Sequence, residues 1–306
     1  MAREVKQNKI NRSRPTIGIT GPDKGGGTAW FFTALGVILA GGKPVRITPV
    51  QPRTADGLQA LIIGGGADVD PLTYEQEHVI DEYLQRTLRQ PRKNLRWRVS
   101  RFFRWLYYPA LFFIRKLFSR KLTFGLDQER DHLEFQLLDQ AVKKDLPVLG
   151  ICRGSQLMNV YFRGTLYKNI SNFYTEAPNP ASIFPVKRVY LKPGSKLQKV
   201  MGVRQIKVNA LHNQAVKDPG KNIEIVGREH NQVVQAIENT ALDFMIGVQW
   251  HPEYLPQKKI HRLLFKELVQ QAREVNNQIE HKDLQDALAQ PQAEALKEMA
   301  EPKEKS

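Results

Sequence analysis

The chain has 306 residues, of which 41% are hydrophobic, and its 46 Lys and Arg against 31 Asp and Glu give a formal net charge of +15. Its single cysteine excludes an internal disulfide and a zinc site built from cysteines, and it suits a reducing compartment. The first twenty residues lack the apolar core of a secretory signal, so we expect a cytoplasmic protein. The positive charge indicates an acidic partner: a membrane surface, a nucleic acid or an anionic substrate.

Strand-like and helical patterns alternate in the first half of the chain. In chain order we predict a loose basic arm at 1–14, a strand at 15–20, a helix at 28–42 and a second strand at 44–50. A third strand that runs into glycines follows at 57–71, then a long helix at 127–145, a buried strand at 146–151 and the start of a helix at 155–162.

Four more strand-like segments follow at 205–211, 223–229, 233–239 and 243–250, and a closing helix follows at 259–275. Short apolar strands that alternate with helices predict an α/β fold, with a mostly parallel sheet covered by helices on both faces. We expect one domain over 15–273, interrupted by an insertion at 80–126, and then a charged tail over 274–306.

The interrupting segment is basic and aromatic. From Tyr83 to Leu126 there are twelve Lys or Arg and no Asp or Glu, so this stretch supplies most of the net charge. As a helix, 95–106 would be amphipathic, with Leu95, Val99, Phe102, Phe103 and Leu106 on one face and Arg96, Arg98, Arg101 and Arg104 on the other. Pro109 should kink or end this helix, and a second apolar stretch with basic residues follows it.

This composition is typical of an interfacial helix on an anionic membrane. Its longest uncharged run, 105–114, has ten residues, whereas a spanning helix needs about twenty. We therefore predict peripheral attachment to the inner face of the cell membrane through Arg96, Trp97, Arg101, Phe102, Phe103, Arg104, Trp105, Phe112, Phe113, Arg115 and Lys116. Packing on its own domain, on a second copy or on a partner protein remains open, and nucleic-acid binding is less favoured.

The one cysteine lies in "VLGICRGSQ" at 148–156, where a strand, a sharp turn and a helix follow one another. A nucleophile flanked by glycines two residues away on each side is the pattern of a nucleophile elbow. The turn would place the Cys152 sulfur at a helix N-terminus, where thiolate is favoured, and aim the Arg153 N–H at a developing oxyanion. The alternative is that Cys152 is a small buried hydrophobic residue.

A thiolate nucleophile needs a base and a group that orients the base. His251, in "GVQWHPE", follows a strand that should end at the same sheet edge, and Glu253 is two residues further on. His132 and His261 lie in polar helical surroundings and are expected to be solvated. His212 is either a hydrogen-bonded loop residue or part of the pocket. Two carboxylates in "DVD" at 68–70, without further ligands, are more typical of turn and cap residues than of a metal site.

Taken together, "GICRGSQ", "GVQWHPE" and "IIGGGADVDPLTY" resemble the class I glutamine amidotransferase-like superfamily, and within it the γ-glutamyl hydrolases of the peptidase C26 type. The resemblance covers about 14–79 and 127–272. It implies a flavodoxin-like doubly wound sheet and a Cys-His-Glu triad made of Cys152, His251 and Glu253. It also implies an oxyanion hole shared by Gly65, Gly66 and the Arg153 N–H, with Gln156, Asn209 and His212 near the substrate.

Two departures from the family pattern concern the substrate. Arg163 stands where the family usually has the first glycine of a Gly-Gly pair, and a histidine that often precedes the next strand is missing near Lys187. The resemblance implies hydrolysis of a γ-glutamyl amide through a thioester, without a metal or cofactor. A glutaminase subunit that feeds a separate synthase, and a membrane-associated scaffold with an idle triad, are the alternatives.

Overall fold

The computed structural model describes residues 14–66, 128–174 and 182–278. The strands β1 to β11 are Thr16–Thr20, Lys43–Ile47, Ala60–Ile63, Val148–Ile151, Leu166–Tyr167, Ser182–Leu191, Gln205–Ala210, Ala215–Val216, Ile223–Glu229, Val234–Asn239 and Met245–Val248. The helices α1 to α4 are Gly27–Leu39, Gln128–Lys143, Arg153–Tyr161 and Lys196–Met201. A last helix, α5, covers 259–278 of the described chain.

Nine of these strands form one sheet in the order β2-β1-β3-β4-β11-β10-β9-β6-β7, and β5 pairs with β8 apart from it. The first five strands of that order pair in parallel, and the remaining four are added antiparallel. The parallel part carries the predicted fold, because β1, β3, β4 and β11 are short runs of four or five mostly buried residues.

Helices cover both faces of the sheet, as the fold prediction requires. Alternate residues of β3 belong to two separate cores, with Ala60 and Ile62 in one and Leu61 and Ile63 in the other. The first core also contains apolar residues of α1 and α5, and the second contains apolar residues of α2 and α3. The doubly wound α/β prediction is therefore confirmed.

Within the described ranges, no helix combines the length and the apolarity that crossing a membrane requires. Residues 1–13 of the predicted arm (1–14), the whole insertion at 80–126 and residues 279–306 of the predicted tail (274–306) lie outside those ranges, whereas 274–278 continue α5. The predicted membrane-contacting residues belong to that insertion, so their role stays a prediction. The short elements β5, β8 and α4 are not among the predicted ones, since two to six residues are too few to show a periodic pattern.

Candidate active site

Three loops meet where neighbouring parallel strands end. β4 pairs with β3 on one side and with β11 on the other. The carboxyl ends of parallel strands share one edge of a sheet, where ligands bind in open α/β folds. The glycines after β3, Cys152 after β4 and His251 shortly after β11 therefore come together. A Cβ added to Gly65 would lie 2.7 Å from His251 Cε1 and 3.6 Å from Cys152 Cβ, so the loop after β3 touches both side chains.

The backbone at Cys152 has the strained form of a nucleophile elbow. Its φ of 52° and ψ of −105° are unusual for a residue with a side chain. The flanking glycines are required by packing: a Cβ on Gly154 would collide with the carbonyl oxygen of Ile63, and one on Gly150 would lie 2.8 Å from the Gly154 carbonyl carbon. Cys152 is buried and directly precedes α3, so its sulfur belongs to the N-terminal turn of that helix.

His251 and Glu253 form a buried pair. His251 Nδ1 lies 2.7 Å from Glu253 Oε1, and both side chains are almost fully enclosed. Burial disfavours the charged imidazolium, but the Glu253 carboxylate and a hydrogen-bonded Cys152 outweigh it and raise the pKa of His251 well above its ordinary value. The Tyr254 ring stacks on the imidazole at 5.3 Å between centroids. The arrangement thus links sulfur, imidazole and carboxylate in one line of contacts.

Two glutamines lie against this line of contacts. Gln249 Nε2 is 3.6 Å from Cys152 Sγ, and Gln249 Oε1 accepts a hydrogen bond of 3.2 Å from Gln156 Nε2. Gln156 Nε2 also donates to the carbonyl of Gln214, whereas its buried Oε1 has no partner among the described residues. Gln249 is not among the residues that the sequence predicts for the site. The feature that could have indicated Gln249 is its position one residue beyond β11, at the same sheet edge as Cys152.

Asn209, at the end of β7, holds the His251 backbone. Its Nδ2 donates to the His251 carbonyl at 2.8 Å, and its Oδ1 accepts from the His251 N–H at 2.8 Å. Both amide atoms of this fully buried side chain are therefore engaged with the backbone of the histidine. Its contact with substrate stays a prediction, while its contact with the His251 loop is a feature that the sequence did not indicate.

His212 lies in a buried polar network. Its Nδ1 is 2.9 Å from the Gln214 carbonyl, and its Nε2 is 3.0 Å from Gln235 Nε2. Burial, and then the charge of Lys187, lower the pKa of His212 to about 3, so the imidazole is neutral at pH 7. Gln235 also bonds Glu229, which pairs with Lys187 at 3.0 Å.

Lys187, noted in the sequence as a departure from the family, is thus a buried cation. The Tyr174 hydroxyl bonds both Lys187 and Glu229, and burial followed by the Glu229 charge raises the pKa of Tyr174. The expectation that His212 is a hydrogen-bonded residue is met. Its place beside substrate stays a prediction.

The prediction that His261 is solvated is wrong. It is 1% exposed, and its Nε2 lies 3.2 Å from the Lys207 carbonyl, because the start of α5 packs against β7. His132 is exposed on α2, as predicted. Among the described residues, no three His, Cys, Asp or Glu side chains are grouped as a metal site would need.

Known proteins resemble this chain in sequence and in fold. Residues 119–253 match the model of the peptidase C26 family. A putative glutamine amidotransferase-like protein of Rickettsia prowazekii is 30% identical and aligns with 76% of this chain and 85% of its own length. The γ-glutamyl-γ-aminobutyrate hydrolase of Escherichia coli K12 is 27% identical over 150 residues, which are 46% of this chain and 59% of that protein.

Among solved structures, a putative GMP synthase subunit from Thermoplasma acidophilum superposes with a TM-score of 0.53. The superposition covers 90% of this chain and 98% of the chain of that structure, at 15% sequence identity. At this identity the likeness shows the fold alone.

Proposed function

The chain belongs to the peptidase C26 family of class I glutamine amidotransferase-like proteins, which are amide hydrolases, and on that premise we propose that it cleaves γ-glutamyl amide bonds with Cys152 as nucleophile. The observation that carries the proposal is the convergence of Cys152, His251 and Glu253 at the ends of adjacent strands. The relative named γ-glutamyl-γ-aminobutyrate hydrolase motivates the substrate class.

The geometry supports a two-step acyl transfer. The Cys152 thiolate attacks the γ-carbonyl carbon, forming a C–S bond and an oxyanion that faces backbone N–H groups of Gly65, Gly66 and Arg153. The oxyanion collapses, the C–N bond breaks, and the imidazolium of His251 gives its proton to the leaving amine. Neutral His251 then takes a proton from water as the water oxygen attacks the thioester carbonyl and forms a C–O bond. The C–S bond breaks, which regenerates the thiolate and releases the γ-carboxyl group of glutamate, and that group loses its proton to solvent. Glu253 stabilises the imidazolium in both steps.

The test is a panel of γ-glutamyl amines with glutamine included, assayed with wild type and Cys152→Ala. We expect release of amine and glutamate by the wild type and none above background by the variant. Turnover of γ-glutamyl amines above that of glutamine favours the stand-alone hydrolase. Ammonia release from glutamine alone would favour the glutaminase alternative, and no turnover or labelling at all would favour the idle scaffold.

We also propose, from sequence alone, that the basic segment 83–126 attaches the protein to an anionic membrane surface. Twelve positive charges and an aromatic face support this proposal, with each charge near the anionic leaflet contributing about 1 kcal/mol, an attraction that salt screens.

Flotation with phosphatidylserine vesicles tests the attachment, with phosphatidylcholine vesicles as the control. We expect the full chain to float with the anionic vesicles and a chain without 83–126 to stay in the soluble fraction. Flotation of the deleted chain would reject the assignment, and binding to single-stranded nucleic acid in place of vesicles would favour the nucleic-acid alternative.

A further inference from the structure

Four buried charged side chains lie behind the site, and we call them the ionic cluster: Arg130, Asp131, Glu134 and Arg153. None of these four residues is more than 3% exposed as a whole. Glu134 accepts from Arg130 Nε at 2.8 Å and also pairs with Arg153, and Arg153 pairs with Asp131. Two positive and two negative charges balance one another, as burial of charge requires. The mechanism described above uses none of these side chains.

The ionic cluster joins the two loops that would bind the oxyanion. At one end, Arg153 is the residue directly after the nucleophile. At the other end, Arg130 Nη2 donates to the carbonyls of Gly64 at 3.0 Å and Gly65 at 3.1 Å. Thr20 adds a second connection, because its hydroxyl donates to Glu134 at 2.6 Å and accepts from the Gly64 N–H at 3.2 Å.

These contacts determine where the next N–H groups point. In a planar trans peptide, the carbonyl oxygen and the following N–H lie on opposite sides. With the oxygens of Gly64 and Gly65 turned to Arg130, the N–H groups of Gly65 and Gly66 point away from it. Among the described residues, neither N–H has a hydrogen-bond acceptor. Gly65 itself lies against Cys152 and His251, so the loop that carries these two donors borders the nucleophile.

We propose that Arg130, held by Glu134, is a positioning residue that orients the Gly64–Gly66 loop toward the oxyanion and, through Arg153, fixes its distance from the nucleophile elbow. This inference rests on the proposed function and assigns the ionic cluster to it. A guanidinium is suited to the task, because its planar fork bonds two carbonyls and a carboxylate at once. A lysine carries the same charge but lacks that fork.

The test compares Arg130→Met and Arg130→Lys with the wild type, and Lys143→Met serves as matched control. Lys143 is on the same helix and makes an i,i+4 ion pair with Asp139 at 2.7 Å, but that pair is exposed. Two probes separate the roles. Iodoacetamide reports the reactivity of the Cys152 thiol without needing an oxyanion hole. L-Glutamate γ-semialdehyde forms a tetrahedral hemithioacetal with the thiol, so its inhibition constant reports stabilisation of the oxyanion.

For both Arg130 variants we expect the aldehyde inhibition constant to rise and kcat on γ-glutamyl-p-nitroanilide to fall, each by roughly 10- to 100-fold. The iodoacetamide rate and KM should stay within about twofold, and Lys143→Met should match the wild type. If Arg130→Met does not fold, Arg130→Lys carries the test, because it preserves the buried charge. Unchanged aldehyde affinity would overturn the proposal, and so would a loss of iodoacetamide reactivity equal to the loss of aldehyde affinity.

A crystal structure of the unliganded Arg130→Lys protein decides the point independently of any substrate. We expect the Gly64 and Gly65 carbonyls to turn away from their wild-type direction. An unchanged loop would overturn the proposal even if the wild type proves active. Conversely, a wild type that neither hydrolyses the amide nor binds the aldehyde would refute the proposed function, and the crystal structure would still decide the role of Arg130.

Discussion

At the scale of single residues, the candidate site depends on close approaches that leave no room for a side chain. Gly65 faces the His251 ring, and Gly154 faces the backbone of β3. The sequence could predict Cys152, His251 and Glu253 because each lies in a short local motif at the end of a strand. It could not predict the contacts of Gln249 with Cys152 or of Glu134 with Arg153, since these join residues far apart in the chain.

Substitution of Gly65 by alanine should disable the site while leaving most of the fold intact. The new Cβ would lie 2.7 Å from His251 Cε1, so the ring must shift from its position beside Cys152. We expect kcat to fall by about 100-fold and stability by about 1–3 kcal/mol, as for other overpacked sites. Gly27→Ala is the control, because no atom lies within 4 Å of its added Cβ. Wild-type kcat in Gly65→Ala would show that the ring is not held at this distance.

Glu253→Gln should lower the pKa of His251. In the folded protein the carboxylate raises that pKa above the unfolded value, so the imidazolium persists to higher pH than in a free histidine. Without the carboxylate the imidazolium should lose its proton at lower pH, and kcat should fall by about 100-fold or more. An NMR titration of the His251 Cε1 proton measures the shift, with the exposed Glu274→Gln as control. An unchanged midpoint would contradict the assigned role of Glu253.

At the scale of elements, the parallel strands were predictable and the antiparallel extension was less so. The runs at 15–20, 146–151 and 243–250 are short, apolar and buried on both faces, which is how parallel strands appear in a sequence. β6 has a mixed burial pattern and an irregular register with β7, so its sequence lacks a clean alternation. The approach of β7 to the His251 loop depends on how the whole sheet is arranged, and no local pattern encodes it.

Asn209→Ala tests whether β7 positions the histidine. The change removes both side-chain hydrogen bonds to the His251 backbone. It leaves the buried His251 N–H without a partner among the described residues, whereas the His251 carbonyl keeps a hydrogen bond of 3.3 Å from the Tyr254 N–H. We expect a stability loss of about 1–3 kcal/mol together with a clear drop in kcat.

Asn239→Ala is the matched control for this change. Asn239 is also a buried asparagine whose Oδ1 accepts from two backbone N–H groups, at Ala241 and Leu242. The Asn239→Ala variant should lose a similar amount of stability and keep the wild-type kcat. Equal losses of kcat in the two variants would mean that Asn209 acts only on the fold.

At the scale of the whole molecule, stability should decline in mild acid because of buried histidines. The folded pKa of His212 is about 3 and that of His261 about 4, both lowered first by burial, against 6.5 in the unfolded chain. Between these values the unfolded chain takes up protons that the folded chain does not. The two neutral imidazoles therefore contribute their full stabilisation above pH 6.5. This contribution is lost as the pH falls toward 4 for His261 and toward 3 for His212. His251 contributes nothing to this loss, since its folded pKa is raised and its contribution is complete below 6.5.

Urea unfolding at pH 6.5 and pH 5 measures this decline. Over this interval of 1.5 pH units, we expect His212 to lower the free energy of unfolding by up to about 2 kcal/mol. The free energy of unfolding of the His212→Asn variant should therefore differ less between the two pH values. His132→Gln, an exposed site on α2, should behave like the wild type. An equal pH dependence in wild type and His212→Asn would show that His212 titrates normally in the folded protein.

Covalent labelling with 6-diazo-5-oxo-L-norleucine, followed by mass spectrometry, tests the claim that Cys152 is a nucleophile activated for γ-glutamyl carbonyls. We predict one adduct per chain, mapped to Cys152, formed by the wild type and lost in His251→Ala. The claim is contradicted if the intact wild type gives no adduct while iodoacetamide still alkylates Cys152, or if His251→Ala is labelled as fast as the wild type.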